Sequence, residues 1–237
     1  MASRTAATLL ALLHCATCFA SKPSKAAKTP TPRYTVVSIG LHSAVNTESA
    51  TAIIAGIEDA NEPLFGTKAD SILLVLDSPG GSVPDGLRIS RAIEESKVPV
   101  VCVVDVEAAS MAAYILESCQ VRLITKRSSI MIHEPAMGGE ISGQQTVWKN
   151  VAEWLRAMTK GMAEHLAHRL NVPASDIIER IRGGAMWFLD WEDAVKFAAV
   201  DGVADSVAAV RTSLETTNHV PALPMYLSSP SAPACRK

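Results

Sequence analysis

Residues 71–81 read Ser-Ile-Leu-Leu-Val-Leu-Asp-Ser-Pro-Gly-Gly. Ile72 to Leu76 are aliphatic on successive positions rather than on alternate ones. That pattern reads as a strand buried on both faces, as in a parallel sheet covered by helices. Pro79-Gly80-Gly81 ends the run, and residues 85–95 continue with helical periodicity. The local order is strand, Gly-Gly turn, helix.

The same alternation extends outward in both directions. Upstream, residues 34–41 read as a strand and 50–61 as a helix. Downstream, 98–104 read as a second buried strand, 110–117 as a short helix, and 121–124 and 130–133 as strands. A long helix is expected over 144–170, with Val147, Val151, Trp154, Leu155, Met158, Met162 and Leu166 near helical spacing. Further helices are expected at 174–182 and 192–197. Strands alternating with helices predict an α/β architecture with parallel pairing.

Composition narrows the function classes. The chain has 237 residues, 48% of them hydrophobic, which is enough for one good core. A formal net charge of −2 gives no global field that would draw nucleic acid or an anionic membrane surface. Aromatics at 5% leave few platforms for stacking bases. These values predict no nucleic-acid partner.

The ends differ from the middle. Residues 1–47 hold no Asp or Glu. Arg4, the apolar run 6–13 and the small-residue segment ending at Ala20 read as an export signal over 1–20. The run is too short for a spanning helix. This predicts an exported protein, periplasmic or secreted. An organellar transit peptide is the alternative, since the stretch is also Ala/Thr/Ser-rich, with a cytoplasmic location the third. Residues 21–33 form a Lys/Pro-rich linker, 34–212 the folded domain, and 213–237 a flexible tail rich in Pro and Ser. Of the five cysteines, Cys102 and Cys119 lie in apolar stretches and read as buried thiols. A disulfide between them would need an oxidising compartment. The spacing predicts no metal site, and nothing in the sequence calls for an organic cofactor.

Three segments carry chemistry, each at a strand end. At the first, amides beside Gly80 and Gly81 can approach a ligand without an intervening side chain, and so stabilise an oxyanion; a bare βα turn is the other reading. At the second, Glu107-Ala108-Ala109-Ser110-Met111-Ala112-Ala113, Ser110 opens a helix, either as its N-cap or as a nucleophile with the Met111 amide behind it. At the third, Met131-Ile132-His133-Glu134-Pro135, His133 is either a hydrogen-bonded structural residue or the base that takes a serine proton.

Taken together and in this order, the three segments resemble the proteolytic subunit of the Clp protease, over roughly residues 36–205. Ala108-Ala109-Ser110-Met111-Ala112 is similar to that family's nucleophile segment and Met131–Pro135 to its MIHQP segment. Gly138-Gly139 and Gly143-Gln144 resemble the start of its handle. Phe188-Leu189, Glu192–Val195 and Val200-Asp201 resemble its C-terminal stretch. The resemblance implies a ClpP/crotonase-like fold of repeated ββα units with a protruding handle helix. It implies a serine endopeptidase with Ser110 as nucleophile, His133 as general base, and an oxyanion hole at Gly80, Gly81 and Met111. It also implies peptide or unfolded-protein substrates and a homo-oligomer of heptameric rings that can stack. An ATP-driven unfoldase is implied only if the chain is not exported.

One position departs from the family. Its third triad member is an Asp two residues before the Phe-Leu pair, and that position here is Met186. Three outcomes follow: a Ser110–His133 dyad with His133 oriented by a carbonyl or water, a substitute carboxylate with Asp190 nearest in sequence, or a degenerate subunit serving as a scaffold. Two other enzyme classes share features of the chain. Acyl-CoA hydratases share the fold but use a carboxylate acid/base. Exported Ser/Lys peptidases of the signal-peptide-peptidase type share an Asp-Ser-Pro-Gly-Gly-like segment, and there Lys126 would be the base.

Overall fold

The structure is a computed structural model that describes residues 33–137 and 144–217. Seven strands form one sheet. They are β1 (Val36–Leu41), β2 (Ser71–Ser78), β3 (Val100–Ala109), β4 (Val121–Thr125), β5 (Ser129–His133), β6 (Met186–Leu189) and β7 (Gly202–Ala204). The helices are α1 (Thr47–Asn61), α2 (Val83–Glu94), α3 (Met111–Glu117), α4 (Gln145–Ala167), α5 (Ala174–Ile181), α6 (Trp191–Lys196) and α7 (Val207–Thr217). The main sheet runs β1-β2-β3-β4-β7 with every pair parallel. The α/β expectation is borne out, and the apolar run 72–76 explains why. Ile72, Leu74 and Leu76 face the core beneath α1, α2 and α3, while Leu73 and Val75 face a second core closed by Val210 and Leu214 of α7.

β3 positions the site. Its first half pairs with β4, through Val101–Val104, and its last residues, Glu107–Ala109, pair with β5 instead. The sheet therefore branches, and β5 with antiparallel β6 forms a separate ribbon beside the end of β3. The expected strand 98–104 stops short of this branch. Asp105, Val106 and Glu107 leave the buried pattern before Ala108 and Ala109 return to it.

α4 carries its buried residues, Thr159, Ala163 and Leu166, in its C-terminal half. Trp148 and Trp154 in the other half are 49% and 53% exposed. The expected start of the handle at Gly138-Gly139 and Gly143 lies outside the described residues, as do the expected signal and nearly all of the linker.

Three elements were not expected: β6, β7 and α7. The last corrects the domain boundary at 212/213, because α7 continues to Thr217 and buries Leu214 against the sheet. α1 starts three residues earlier than expected because Asn46 caps it. The Asn46 side chain accepts from the Ser49 amide, and the Ser49 hydroxyl accepts from that of Asn46.

A buried charge cluster ties the rim of the sheet together. Arg122 on β4 is 3% exposed. Its guanidinium bonds Glu117 at the end of α3, Asp201 at 2.6 Å and the Ala198 carbonyl at 2.9 Å. Arg169 also reaches Asp201, at 3.7 Å, so two cations face two carboxylates, of which Glu117 is the more deeply buried. Burial pushes its carboxyl up to about 8, with Arg122 opposing that shift. Beside this cluster Cys102 on β3 and Cys119 are joined as a disulfide, which corrects the reading of two buried thiols.

Candidate active site

Ser110 stands at the corner between β3 and α3 with φ 54° and ψ −116°. A non-glycine residue in that region costs about 1–3 kcal/mol and persists only where its surroundings impose it. They do so here. The Ser110 amide donates to the Met131 carbonyl at 2.7 Å, extending the β3–β5 pairing by one residue. Its carbonyl accepts from the amides of Ala113 and Tyr114. The corner turns the hydroxyl away from the helix, and Ser110 makes no side-chain capping bond to α3. Ser110 is thus the N-cap of α3 by position, through its carbonyl, while its hydroxyl caps nothing.

The hydroxyl instead meets His133. Ser110 Oγ and His133 Nε2 are 2.7 Å apart. Two adjacent strands make that contact, since Ser110 follows the end of β3 and His133 ends β5. A hydroxyl at this distance can pass its proton to the ring as the oxygen attacks a carbonyl.

Gly80 and Gly81 close the other side, with φ of 84° and 147°. A Cβ on Gly80 would lie 2.5 Å from the Ala109 carbonyl oxygen, 2.7 Å from Ser110 Cβ and 2.8 Å from the Met111 amide nitrogen. The bare backbone thus packs directly on the serine corner. Val45 pins the turn: its amide donates to the Gly80 carbonyl, and its carbonyl accepts from Ser82, both at 2.8 Å. The three expected oxyanion donors separate here. The Gly80 amide donates to Ser78 Oγ at 3.2 Å and is occupied. The amides of Gly81 and Met111 have no acceptor among the described residues. Gly80 contributes space, and the free donors are Gly81 and Met111.

The register of β5 with β6 sets Met186 directly opposite His133. The position that departs from the expected motif is therefore beside the histidine in space, and its side chain is a thioether that is 58% exposed. Among the described residues nothing hydrogen-bonds to His133 Nδ1. Trp187 anchors β6, packed edge-on to Phe197 at 5.2 Å with the Arg180 guanidinium 4.7 Å over its ring. The Gly184 amide donates to Glu134 at 3.3 Å.

Asp190, expected as a substitute third member, does not reach the ring. It is the N-cap of α6, and its Oδ1 accepts from the Asp193 amide at 2.9 Å. It also lies past the Leu189–Ile130 end of the ribbon, four residues from Met186. At about 3.3 Å per residue that is ~13 Å along the strand. Lys126 places its amine 5.7 Å from the Trp191 ring centroid, and the hydrogen bond of the Ser110 hydroxyl is to His133.

Behind the corner, Tyr114 of α3 stacks on His165 of α4 with ring centroids 4.0 Å apart. Burial pushes the Tyr114 hydroxyl up and holds the His165 imidazole below its ordinary value. Sequence reasoning singled out neither residue. A Tyr–His contact between two helices leaves no trace in local spacing.

Among the described residues no group of three or more His, Cys, Asp or Glu is arranged to hold a metal ion. Among them, also, no helix is long and apolar enough to cross a membrane.

Comparison with known proteins gives the frame for this geometry. The family model described as Clp protease matches residues 31–207. The chain is similar to the ATP-dependent Clp protease proteolytic subunit 1 of Chlamydia pneumoniae, 35% identical over 135 residues that span 56% of this chain and 69% of that protein. The subunits of the same name from Chlamydia caviae and Chlamydia trachomatis serovar D are each 33% identical, over 135 and 136 residues, with the same shares of chain covered. A match over most of the folded domain, on a branched parallel sheet that brings a serine corner against a histidine, shows that this chain belongs to the Clp protease family and has its fold.

Proposed function

We propose that the protein is a serine endopeptidase that works through an acyl-enzyme on Ser110. The observation that carries this reading is the 2.7 Å contact between Ser110 Oγ and His133 Nε2. In the first step His133 takes the Ser110 proton as Oγ attacks a peptide carbonyl. The amides of Gly81 and Met111 receive the oxyanion. The protonated ring then gives its proton to the leaving amine, and water releases the acyl group by the same path in reverse. Family membership favours peptides or unfolded proteins as the substrates.

Membership of the family supports assembly into heptameric rings, stacked through the α4 region. The relatives are named as ATP-dependent. An ATP-driven unfoldase joins this reading only if the chain stays where ATP is present, and the leader-like residues 1–20 favour export.

Met186 favours a second reading, a degenerate subunit with little activity. Hydrolysis of a fluorogenic peptide separates the two. The first predicts turnover by the wild type that disappears in Ser110→Ala. Equal rates in both proteins would sink it.

A further inference from the structure

We propose that the Cys102–Cys119 disulfide is a redox-dependent staple that holds the Ser110 corner in its reactive geometry. The effect on reactivity rests on the reading of Ser110 as nucleophile; the staple itself does not. The two cysteines are separated by 17 residues, and the ring they close contains the end of β3, Ser110 and the whole of α3. Their Cα atoms are 6.0 Å apart, within the roughly 4.4–6.8 Å that a disulfide spans without moving the backbone.

The corner needs such a restraint. Ser110 holds a positive φ that its surroundings must impose. On the β5 side the restraint is the bond from the Ser110 amide to Met131. On the far side stands α3, which has seven residues and is too short to be stable by itself. Its end is fixed by the disulfide, by apolar packing of Ile115 and Leu116, and by Arg169 Nη2 donating to the Cys119 carbonyl at 3.1 Å. Removing the covalent link leaves the end of α3 held only by this packing, the Arg169 bond and the Glu117–Arg122 pair, and so loosens it; the first residue of α3 supplies the Met111 amide.

The chemistry balances with a dithiol as reductant. One thiolate attacks a protein sulfur, the protein S–S bond breaks, and the second thiol of the reductant closes its own disulfide. Two electrons and two protons pass to the protein, which gains two thiols. Cys102 and Cys119 are both 0% exposed. Attack therefore waits on local opening, and the bond is long-lived once formed. Such a bond persists in oxidising compartments, which accords with the leader-like sequence at 1–20.

The test uses the full chain purified without reductant. Peptide mapping under non-reducing conditions comes first. Thermal unfolding and fluorophosphonate acylation are then measured before and after complete reduction by dithiothreitol, in the wild type and in Cys102→Ala/Cys119→Ala. Expected are a crosslinked Cys102–Cys119 peptide, a fall in Tm of roughly 6–12 °C on reduction, and acylation slowed at least ~10-fold. The double variant should show the lowered values and ignore the dithiol. Cys102 and Cys119 recovered as alkylated thiols in the peptide map of the unreduced protein, or a Tm that reduction leaves unchanged, would overturn the staple. A lowered Tm with unchanged acylation would overturn its coupling to the corner. A lowered Tm with no acylation in either state supports the staple and instead overturns the nucleophile reading.

Discussion

Replacing Met186 by Asp should restore part of a missing interaction. Directly opposed residues of an antiparallel pair have Cα atoms about 4.5–5.5 Å apart, and Met186 is paired in this way with His133. A carboxylate there is within reach of the Nδ1 side of the ring. A hydrogen bond to a charged group is worth about 1.5–3 kcal/mol net. At 58% exposure the site is well solvated, so the lower part of that range applies. Since ~1.4 kcal/mol is tenfold in rate, Met186→Asp should raise kcat/KM by roughly 10- to 30-fold. The four orders of magnitude associated with a buried triad aspartate are not expected. The assay is peptide turnover and fluorophosphonate acylation rate, with Met186→Asp/Ser110→Ala as the blank. Asp190→Ala is the companion variant. It removes only the cap of α6, so Tm falls by the loss of about 0.5–2 kcal/mol while the rate per folded molecule holds. A Met186→Asp protein that folds with unchanged Tm and shows no gain would refute the argument. So would a collapse of activity in Asp190→Ala.

Gly80→Ala should disable the site from the other side. The new Cβ would sit 2.7 Å from Ser110 Cβ and 2.5 Å from the Ala109 carbonyl, at a φ of 84° that alanine resists. Acylation should slow at least ~100-fold, measured beside the Tm so that misplacement is separated from unfolding. Glu117 should make stability pH-dependent. Its unfolded carboxyl titrates near 4.5 and the folded one at about 8, so the native state holds the extra proton between those values. This contribution is fully present below 4.5 and is lost as pH rises through 8, by up to ~1.4 kcal/mol per pH unit. Urea unfolding from pH 5 to 9 should show a slope in the wild type that Glu117→Gln lacks. Parallel curves would exclude it.

The legible parts of the fold were those with a strong local pattern. The run 72–76 and the turn at Gly80-Gly81 gave the parallel sheet and the position of α2. Ser110 and His133 were legible through their chain neighbours, and the structure brings them together. β6 was missed although Met186-Trp187-Phe188-Leu189 is rich in strand formers, because a four-residue strand is defined by its partner more than by its own period. The continuation of β3 through Asp105 and Glu107 was missed for a related reason. Charged residues fit there only because the sheet branches and leaves that segment partly open. Asp190 shows the limit of adjacency in sequence: it is near the departed position along the chain, and the extended strand carries it away from His133. Gly80 was read as a donor, but only the structure shows Ser78 occupying its amide.

The central claim is that Ser110 is the nucleophile and His133 its base. Mass mapping of the adduct formed with a fluorophosphonate tests it most directly. A single modification on the peptide carrying Ser110, lost in Ser110→Ala and slowed at least ~100-fold in His133→Ala, is the predicted result. Modification at another residue, or an unmodified protein after prolonged exposure to the probe, would contradict it.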